Sequence, residues 1–172
     1  YAFSAAQNLW EPSHTGVGVG AERLTCLTWN VWFGEYGFDE RAEGLLDELQ
    51  ERKADLVALQ EVTPRLLSRL IKAEWVRRDY TMSDIEPQSK GEYGLLIMSR
   101  RPPRCVRRLA LPSRMNRYAL LAEFDTPEGA AVVATIHLES MSFNFEMRQR
   151  QLRTLSAELA RYPKVIILGD FN

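Results

Sequence analysis

Polar residues stand where several apolar runs of this chain end. Asn30 closes Leu24-Thr25-Cys26-Leu27-Thr28-Trp29, Glu61 follows Leu56-Val57-Ala58-Leu59-Gln60, and His137 ends an apolar stretch that starts at Ala131. Asp170 and Asn172 follow Val165-Ile166-Ile167-Leu168-Gly169. A core strand has no need of such side chains. In sheets built from β-α units, ligands gather beyond the carboxyl ends of the strands, so these residues can converge although they are far apart in sequence. One or two carboxylates with amide oxygens suit a hard cation that keeps several waters, so the expected metal is Mg²⁺, or Mn²⁺ in its place. The whole chain has two cysteines and two histidines, too few for a tetrahedral zinc site here.

A metal, a histidine, an aspartate and two asparagines most naturally serve hydrolysis of a phosphate ester. The cation neutralises charge on the phosphoryl oxygens, an ionised carboxylate orients or deprotonates water, and asparagine and histidine donors hold the equatorial oxygens. Serine-based acyl transfer fits less well, because no Gly-x-Ser-x-Gly elbow is present. The glycines of Gly16-Val17-Gly18-Val19-Gly20 have the wrong spacing for a dinucleotide or Walker loop.

The elements that must position these residues can be read from periodicity. Residues 24–29 form a β-rich run, and Asp39 can cap a helix carrying Ala42, Leu45, Leu46 and Leu49 at three-and-four spacing. Leu56-Val57-Ala58-Leu59 is apolar on both faces, as expected of a buried strand. Thr63 and Pro64 then serve as N-cap and first residue of a helix with Leu66, Leu67, Leu70 and Ile71 on one side. The opening is therefore β-α-β-α. Farther on, residues 94–99, 118–124 and 131–138 read as strands separated by turns, with antiparallel pairing and a hairpin at Thr126-Pro127-Glu128-Gly129. A helix over 145–161 carries Phe145, Leu152, Leu155 and Leu159 on one stripe, and Val165-Ile166-Ile167-Leu168 is another strand buried on both faces. Residues 1–22 read as a flexible lead-in and 23–172 as the domain.

Composition narrows the setting. With 172 residues, 45% of them apolar and 26% charged, the chain suits one globular domain with a real core. Twenty-two Lys and Arg against 23 Asp and Glu leave a net charge of −1, so contact with a polyanion requires a local patch. The window 100–117 offers one, with Arg100, Arg101, Arg104, Arg107, Arg108, Arg114 and Arg117 and no acidic residue. It is either a phosphate-contacting rim or a solvated face. Trp32, Phe33 and Tyr36 either stack on a base or cover the core. No run approaches the ~18 apolar residues of a membrane span, no signal peptide is visible, and the low cysteine count points to an intracellular protein.

Thr28-Trp29-Asn30-Val31, Leu59-Gln60-Glu61-Val62, Gly94-Leu95-Leu96-Ile97-Met98-Ser99-Arg100, His137-Leu138-Glu139-Ser140 and Gly169-Asp170-Phe171-Asn172 resemble, in order, the motifs of the endonuclease/exonuclease/phosphatase superfamily. Their wording is most similar to the tyrosyl-DNA phosphodiesterase branch and its bacterial relatives. The resemblance implies an α/β fold, the DNase I-like four-layer sandwich of two mixed β-sheets, incomplete at its carboxyl end in this chain. It implies that Glu61 is the principal metal ligand, with Asn30 close to metal and phosphate. Asp170 would position or activate the nucleophilic water, Asn172 would hold the phosphate and that water, and His137 would donate to the phosphoryl oxygens. Glu139 either orients the His137 ring or lies on the surface. Arg148 and Gln151 either brace a substrate-binding site or face solvent. A further Asp-His pair that completes such sites is absent from this sequence, so the 172 residues alone are expected to be poorly active. The expected activity is Mg²⁺-dependent hydrolysis of phosphodiesters, with DNA or RNA favoured as substrate. The alternatives are a phosphoinositide or sphingomyelin hydrolase, or a catalytically incomplete nucleic-acid-binding fragment.

Overall fold

Alternation along four strands decides the layering. The computed structural model describes residues 1–13, 23–87 and 91–172. In β4 (Leu56–Val62), Val57, Leu59 and Val62 face one way and Leu56 the other. In β6 (Gly94–Ser99), Leu96 and Met98 oppose Leu95 and Ile97. In β8 (Tyr118–Thr126), Ala119 and Leu121 oppose Leu120, Ala122 and Phe124, and in β9 (Gly129–His137), Val132, Ala134 and Ile136 oppose Val133. Strands apolar on both faces must be covered on both. The two sheets therefore share one apolar layer, and helices cover each outer face.

The first sheet runs β3-β4-β6-β5, with β3 (Cys26–Asn30) parallel to β4 and with β6 and β5 (Thr81–Met82) antiparallel to their neighbours. The second runs β10-β9-β8-β7, with β10 (Lys164–Asp170) parallel to β9 and the rest, including β7 (Cys105–Ala110), antiparallel. Helices α1 (Phe38–Arg52), α2 (Pro64–Leu70) and α3 (Glu74–Asp79) pack on the first sheet. Helix α4 (Phe145–Leu159) packs on the second. This is the DNase I-like four-layer sandwich of two mixed sheets.

Local chemistry explains where the elements match expectation and where they differ. Thr63 caps α2 as its sequence demands, its hydroxyl accepting from the Leu66 N–H at 3.2 Å. Asp39 does not cap α1. Gly37, at φ 57°, holds that position without a side-chain hydrogen bond, and Asp39 pairs instead with Arg65 and Arg69 of α2. Phe145 is exposed, because the buried row of α4 is Gln151, Leu155 and Leu159 at four-residue spacing, and a residue six positions before Gln151 points elsewhere. Strand β10 is buried on one face only. It lies at a sheet edge, with Ile166 and Leu168 packed inward and Val165 and Ile167 exposed.

Residues Ala2–Ser4 (β1) and Leu9–Glu11 (β2) form a hairpin, tied down by Trp10 Nε1 donating to the Ile71 carbonyl at 3.2 Å and by the Tyr1 ammonium donating to the Met82 carbonyl at 2.8 Å. The Gly16-Gly18-Gly20 stretch and His14 lie outside the described residues.

The arginine window does not form one rim. Arg104 and Arg107 both pair with Glu123 of β8, and Arg107 also pairs with Glu158 of α4. Arg108 stacks on the Tyr118 ring at 3.7 Å, and Arg100 donates to the Lys53 carbonyl. Burial pushes the Glu123 carboxyl up, but hydrogen bonds from Tyr162, Arg104 and Arg107 outweigh it and hold the pKa at about 2, against an ordinary 4.5. A depressed carboxyl contributes stability above its unfolded pKa and loses it as pH falls through the folded one. Unfolding free energy should thus fall by about 2–3 kcal/mol between pH 4.5 and pH 2 through this group. Denaturant titrations across that range should show the slope in the wild type and a shallower one in Glu123→Gln.

Candidate active site

The site is assembled at the carboxyl ends of β3, β4, β9 and β10, and a bulge aims its central carboxylate. Leu59 pairs with Leu96 and Val62 with Gly94, so Gln60 and Glu61 together oppose Leu95 alone. Glu61 adopts φ 61°, a left-handed conformation that costs a non-glycine residue of order 1 kcal/mol or more. The bulge lets Leu59 and Val62 both reach the helix-covered face while Glu61 turns toward the strand ends. Gln60 beneath it is buried and donates to Thr28 Oγ1 and, across to the second sheet, to Thr135 Oγ1, each at 3.1 Å. The bond to Thr135 ties the two sheets to each other directly under the site.

A glycine fixes the approach of β10. Gly169 lies at φ 140°, opposite Ile136 of β9, and a Cβ there would sit 2.1 Å from the Ile136 carbonyl oxygen. Neither strand backbone can yield without breaking the parallel pairing that brings Asp170 beside His137. Gly169→Ala is therefore expected to destabilise the domain by about 2–4 kcal/mol and to displace Asp170. A thermal or denaturant melt matching the wild type would contradict this.

Asn30 joins the two carboxylates. Its Nδ2 donates to Glu61 Oε1 at 3.0 Å and to Asp170 Oδ2 at 2.7 Å, while its Oδ1 accepts from the Trp32 N–H at 3.0 Å. In this geometry Asn30 brackets the carboxylates, and Glu61 is a side chain that could offer charge to a cation. Glu61 Oε2 accepts from the Phe33 N–H at 2.9 Å. For Asp170, burial raises the carboxyl, but hydrogen bonds from Asn30 and the Asn172 N–H, with His137 and Arg117 nearby, outweigh it and hold the pKa below the ordinary value. Asp170 is thus ionised at neutral pH. Asn172 ties the end of β10 to β9, its Nδ2 donating to the Leu138 carbonyl at 3.1 Å.

His137 is 4% exposed, and its Nε2 lies 3.8 Å from Glu61 Oε1 and 3.7 Å from Asp170 Oδ2. Burial lowers its pKa, the Arg117 charge lowers it further, and the two carboxylates oppose this without reversing it. Arg117 is itself buried, with one terminal nitrogen 3.1 Å from His137 Nδ1 and the other donating to Ser140 Oγ at 3.0 Å.

The remaining expected residues stand behind or beside the centre. Glu139 does not contact the His137 ring. It is fully buried and accepts from Ser113 Oγ at 2.6 Å and the Arg114 N–H at 3.0 Å, which pins the β7–β8 loop. Gln151 accepts from the Glu139 N–H at 2.9 Å and donates to the Pro112 carbonyl at 3.0 Å. Arg148 donates to the carbonyls of Glu139 at 3.0 Å and Met141 at 2.7 Å. Gln151 and Arg148 therefore brace the loops and do not reach the centre. Arg114 is exposed on the same loop. Trp32, which lines a pocket with Glu61, and Tyr36 stand exposed instead of covering the core, and Arg41 holds their loop by donating to the carbonyls of Val31, Trp32, Gly34 and Tyr36. A cleft of about 280 Å³ opens from Glu61 and His137, between Tyr93 and Gly94 on one side and Asn116, Arg117 and Tyr118 on the other.

Nothing in the sequence spacing marks Arg41, Tyr93 or Ser113 as part of this site, and Ser140 stands out only as the last residue of His137-Leu138-Glu139-Ser140.

The donor set fits a hard divalent cation. Among the described residues no three His, Cys, Asp or Glu side chains form a closed metal cage. A Mg²⁺ ion does not need one, since it is commonly held by one or two carboxylates with water and substrate phosphate.

Comparison with known proteins agrees with this architecture. The sequence profile of the Endonuclease/Exonuclease/phosphatase family matches residues 27–172. D. rerio TDP2 complexed with single strand DNA product is similar with a TM-score of 0.75 and 26% identity, over 88% of this chain and 62% of that one. TDP2 from C. elegans gives 0.72 and 20%, over 87% and 48%. The human Nocturnin catalytic domain with bound sulfate anion gives 0.66 and 19%, over 87% and 64%. The chain thus spans about half to two thirds of the length of these solved structures. No curated protein sequence matches it.

Proposed function

The chain belongs to the endonuclease/exonuclease/phosphatase family, and from that premise we propose that it hydrolyses phosphodiesters with the help of Mg²⁺ or Mn²⁺, acting on nucleic acid as a nuclease or a tyrosyl-DNA phosphodiesterase does. The observation that carries this reading is the junction of Glu61, Asp170 and His137 around Asn30, drawn from four strand ends. Glu61 would hold the cation, which when bound neutralises charge on the phosphoryl oxygens. Asp170, ionised and anchored through both oxygens, orients the attacking water and takes its proton. His137 directs Nε2 toward the same space and donates to a phosphoryl oxygen. Asn172, two residues past Asp170, would help hold the phosphate and the water.

Nucleic acid is favoured as substrate by the single-strand DNA complex of the D. rerio relative and by the exposed Trp32 and Tyr36, whose rings can stack on unpaired bases. Arg114, exposed on the β7–β8 loop next to Met115 and Asn116 of the cleft wall, would meet backbone phosphate. The test is product release by the full-length protein with Mg²⁺ from single-stranded oligonucleotides, with plain or 5′-phosphotyrosyl ends, beside sphingomyelin and phosphoinositide vesicles. Turnover of an oligonucleotide supports the reading. Turnover confined to the vesicles overturns the substrate class, and oligonucleotide retention without turnover overturns the enzymatic reading.

A further inference from the structure

We propose that Arg117 is a positioning residue that fixes the protonation pattern and direction of the His137 ring. A guanidinium can only donate, so the 3.1 Å contact between Arg117 and His137 Nδ1 requires Nδ1 to accept. The ring proton must then be on Nε2. Arg117 holds this relation rigidly, because it is 7% exposed, is clamped through its other terminal nitrogen to Ser140 Oγ at 3.0 Å, and lies over the Tyr93 ring at 5.8 Å.

The consequence lies on the opposite side of the ring. Nε2 is 3.7 and 3.8 Å from the two nearest carboxylate oxygens, too far for a hydrogen bond to either. Its N–H is therefore held in the gap between Glu61 and Asp170, available to a third acceptor. On the phosphodiester reading, on which this last step rests, that acceptor is a phosphoryl oxygen. Most histidines oriented for such work are held by a carboxylate or carbonyl that accepts from Nδ1–H. Here the partner is a cation and the pattern is inverted. Asn116 and Met141, the neighbours of Arg117 and of the Ser140 that anchors it, adopt φ 56° and 74°.

The test is a long-range ¹H–¹⁵N spectrum of the imidazole rings in the metal-free chain, at a pH high enough that the rings are neutral. The sequence has only two histidines, so His137→Gln assigns the signals. The expected wild-type pattern for His137 is a protonated Nε2 and an unprotonated Nδ1 shifted by an accepted hydrogen bond. Arg117→Met should move the Nδ1 signal toward that of a free nitrogen or populate the Nδ1–H form, and Arg117→Lys should restore part of the shift. Should Arg117→Met fail to fold, Ser140→Ala should give a smaller change in the same direction. A wild-type ring protonated on Nδ1, or an Nδ1 signal indifferent to these substitutions, overturns the proposal. In full-length protein Arg117→Met should lower kcat by about 10- to 100-fold with a smaller change in KM. The expected spectra without any phosphodiester turnover would overturn the functional reading and leave the role of Arg117 standing.

Discussion

Glu61→Ala is expected to abolish measurable Mg²⁺ or Mn²⁺ binding and to lower phosphodiester turnover by about 10³-fold or more. Glu61 is the buried carboxylate whose position is set by the strand bulge, by Asn30 and by the Phe33 N–H. Its left-handed backbone adds a second, less obvious expectation. Glu61→Gly removes the same carboxylate but also removes the conformational penalty at φ 61°, so it should melt no lower than Glu61→Ala and up to about 1 kcal/mol higher. Loss of metal affinity in both variants, with the glycine variant the more stable, would show that the strain serves the site and not the fold. Undiminished affinity by calorimetry in Glu61→Ala would place the metal elsewhere.

Asp170→Asn is the second large effect. An amide cannot accept the proton of water, so kcat should fall by about 10²–10⁴-fold while KM changes little, provided the assay is run at saturating metal. The substitution keeps the size of the side chain, and the Asn172 N–H can still be accepted by an amide oxygen. The Asn30 Nδ2 contact, now facing an amide, can be kept only if the new side chain presents its oxygen there, so a modest loss of stability should accompany the loss of rate. Equal losses in kcat and binding would reject the proton-accepting role.

Much of this centre is legible in the sequence. A polar residue at the end of an apolar run is a strong sign because a buried strand has no use for it, and Asn30, Glu61, His137 and Asp170 converge as that pattern suggests. What stayed hidden depended on partners distant in sequence. Arg104 and Arg107 look like free cations in a window without acids, yet Glu123 and Glu158 come from a paired strand and from a helix on the outer face of the sheet. Arg117 resembles its neighbours in sequence but is buried against His137. The bulge at Glu61 leaves no trace in composition, since a left-handed glutamate is tolerated for its placement and not its propensity. Strand β10 looks buried on both faces because alternation reports which residues are apolar, not which face is covered. The short elements α3, β5 and the β1–β2 hairpin fall below the length at which periodicity speaks.

On the proposed function these strand ends form one metal-dependent phosphodiesterase centre. The most direct measurement follows hydrolysis of a chromogenic phosphodiester by full-length wild-type protein and by Glu61→Ala, each with Mg²⁺ and with excess chelator. The predicted result is turnover by the wild type with Mg²⁺ only, lost with chelator and absent from Glu61→Ala under both conditions. Hydrolysis by the wild type that survives chelation, or equal rates in the two proteins, would rule out a metal held by Glu61 as the centre of the reaction.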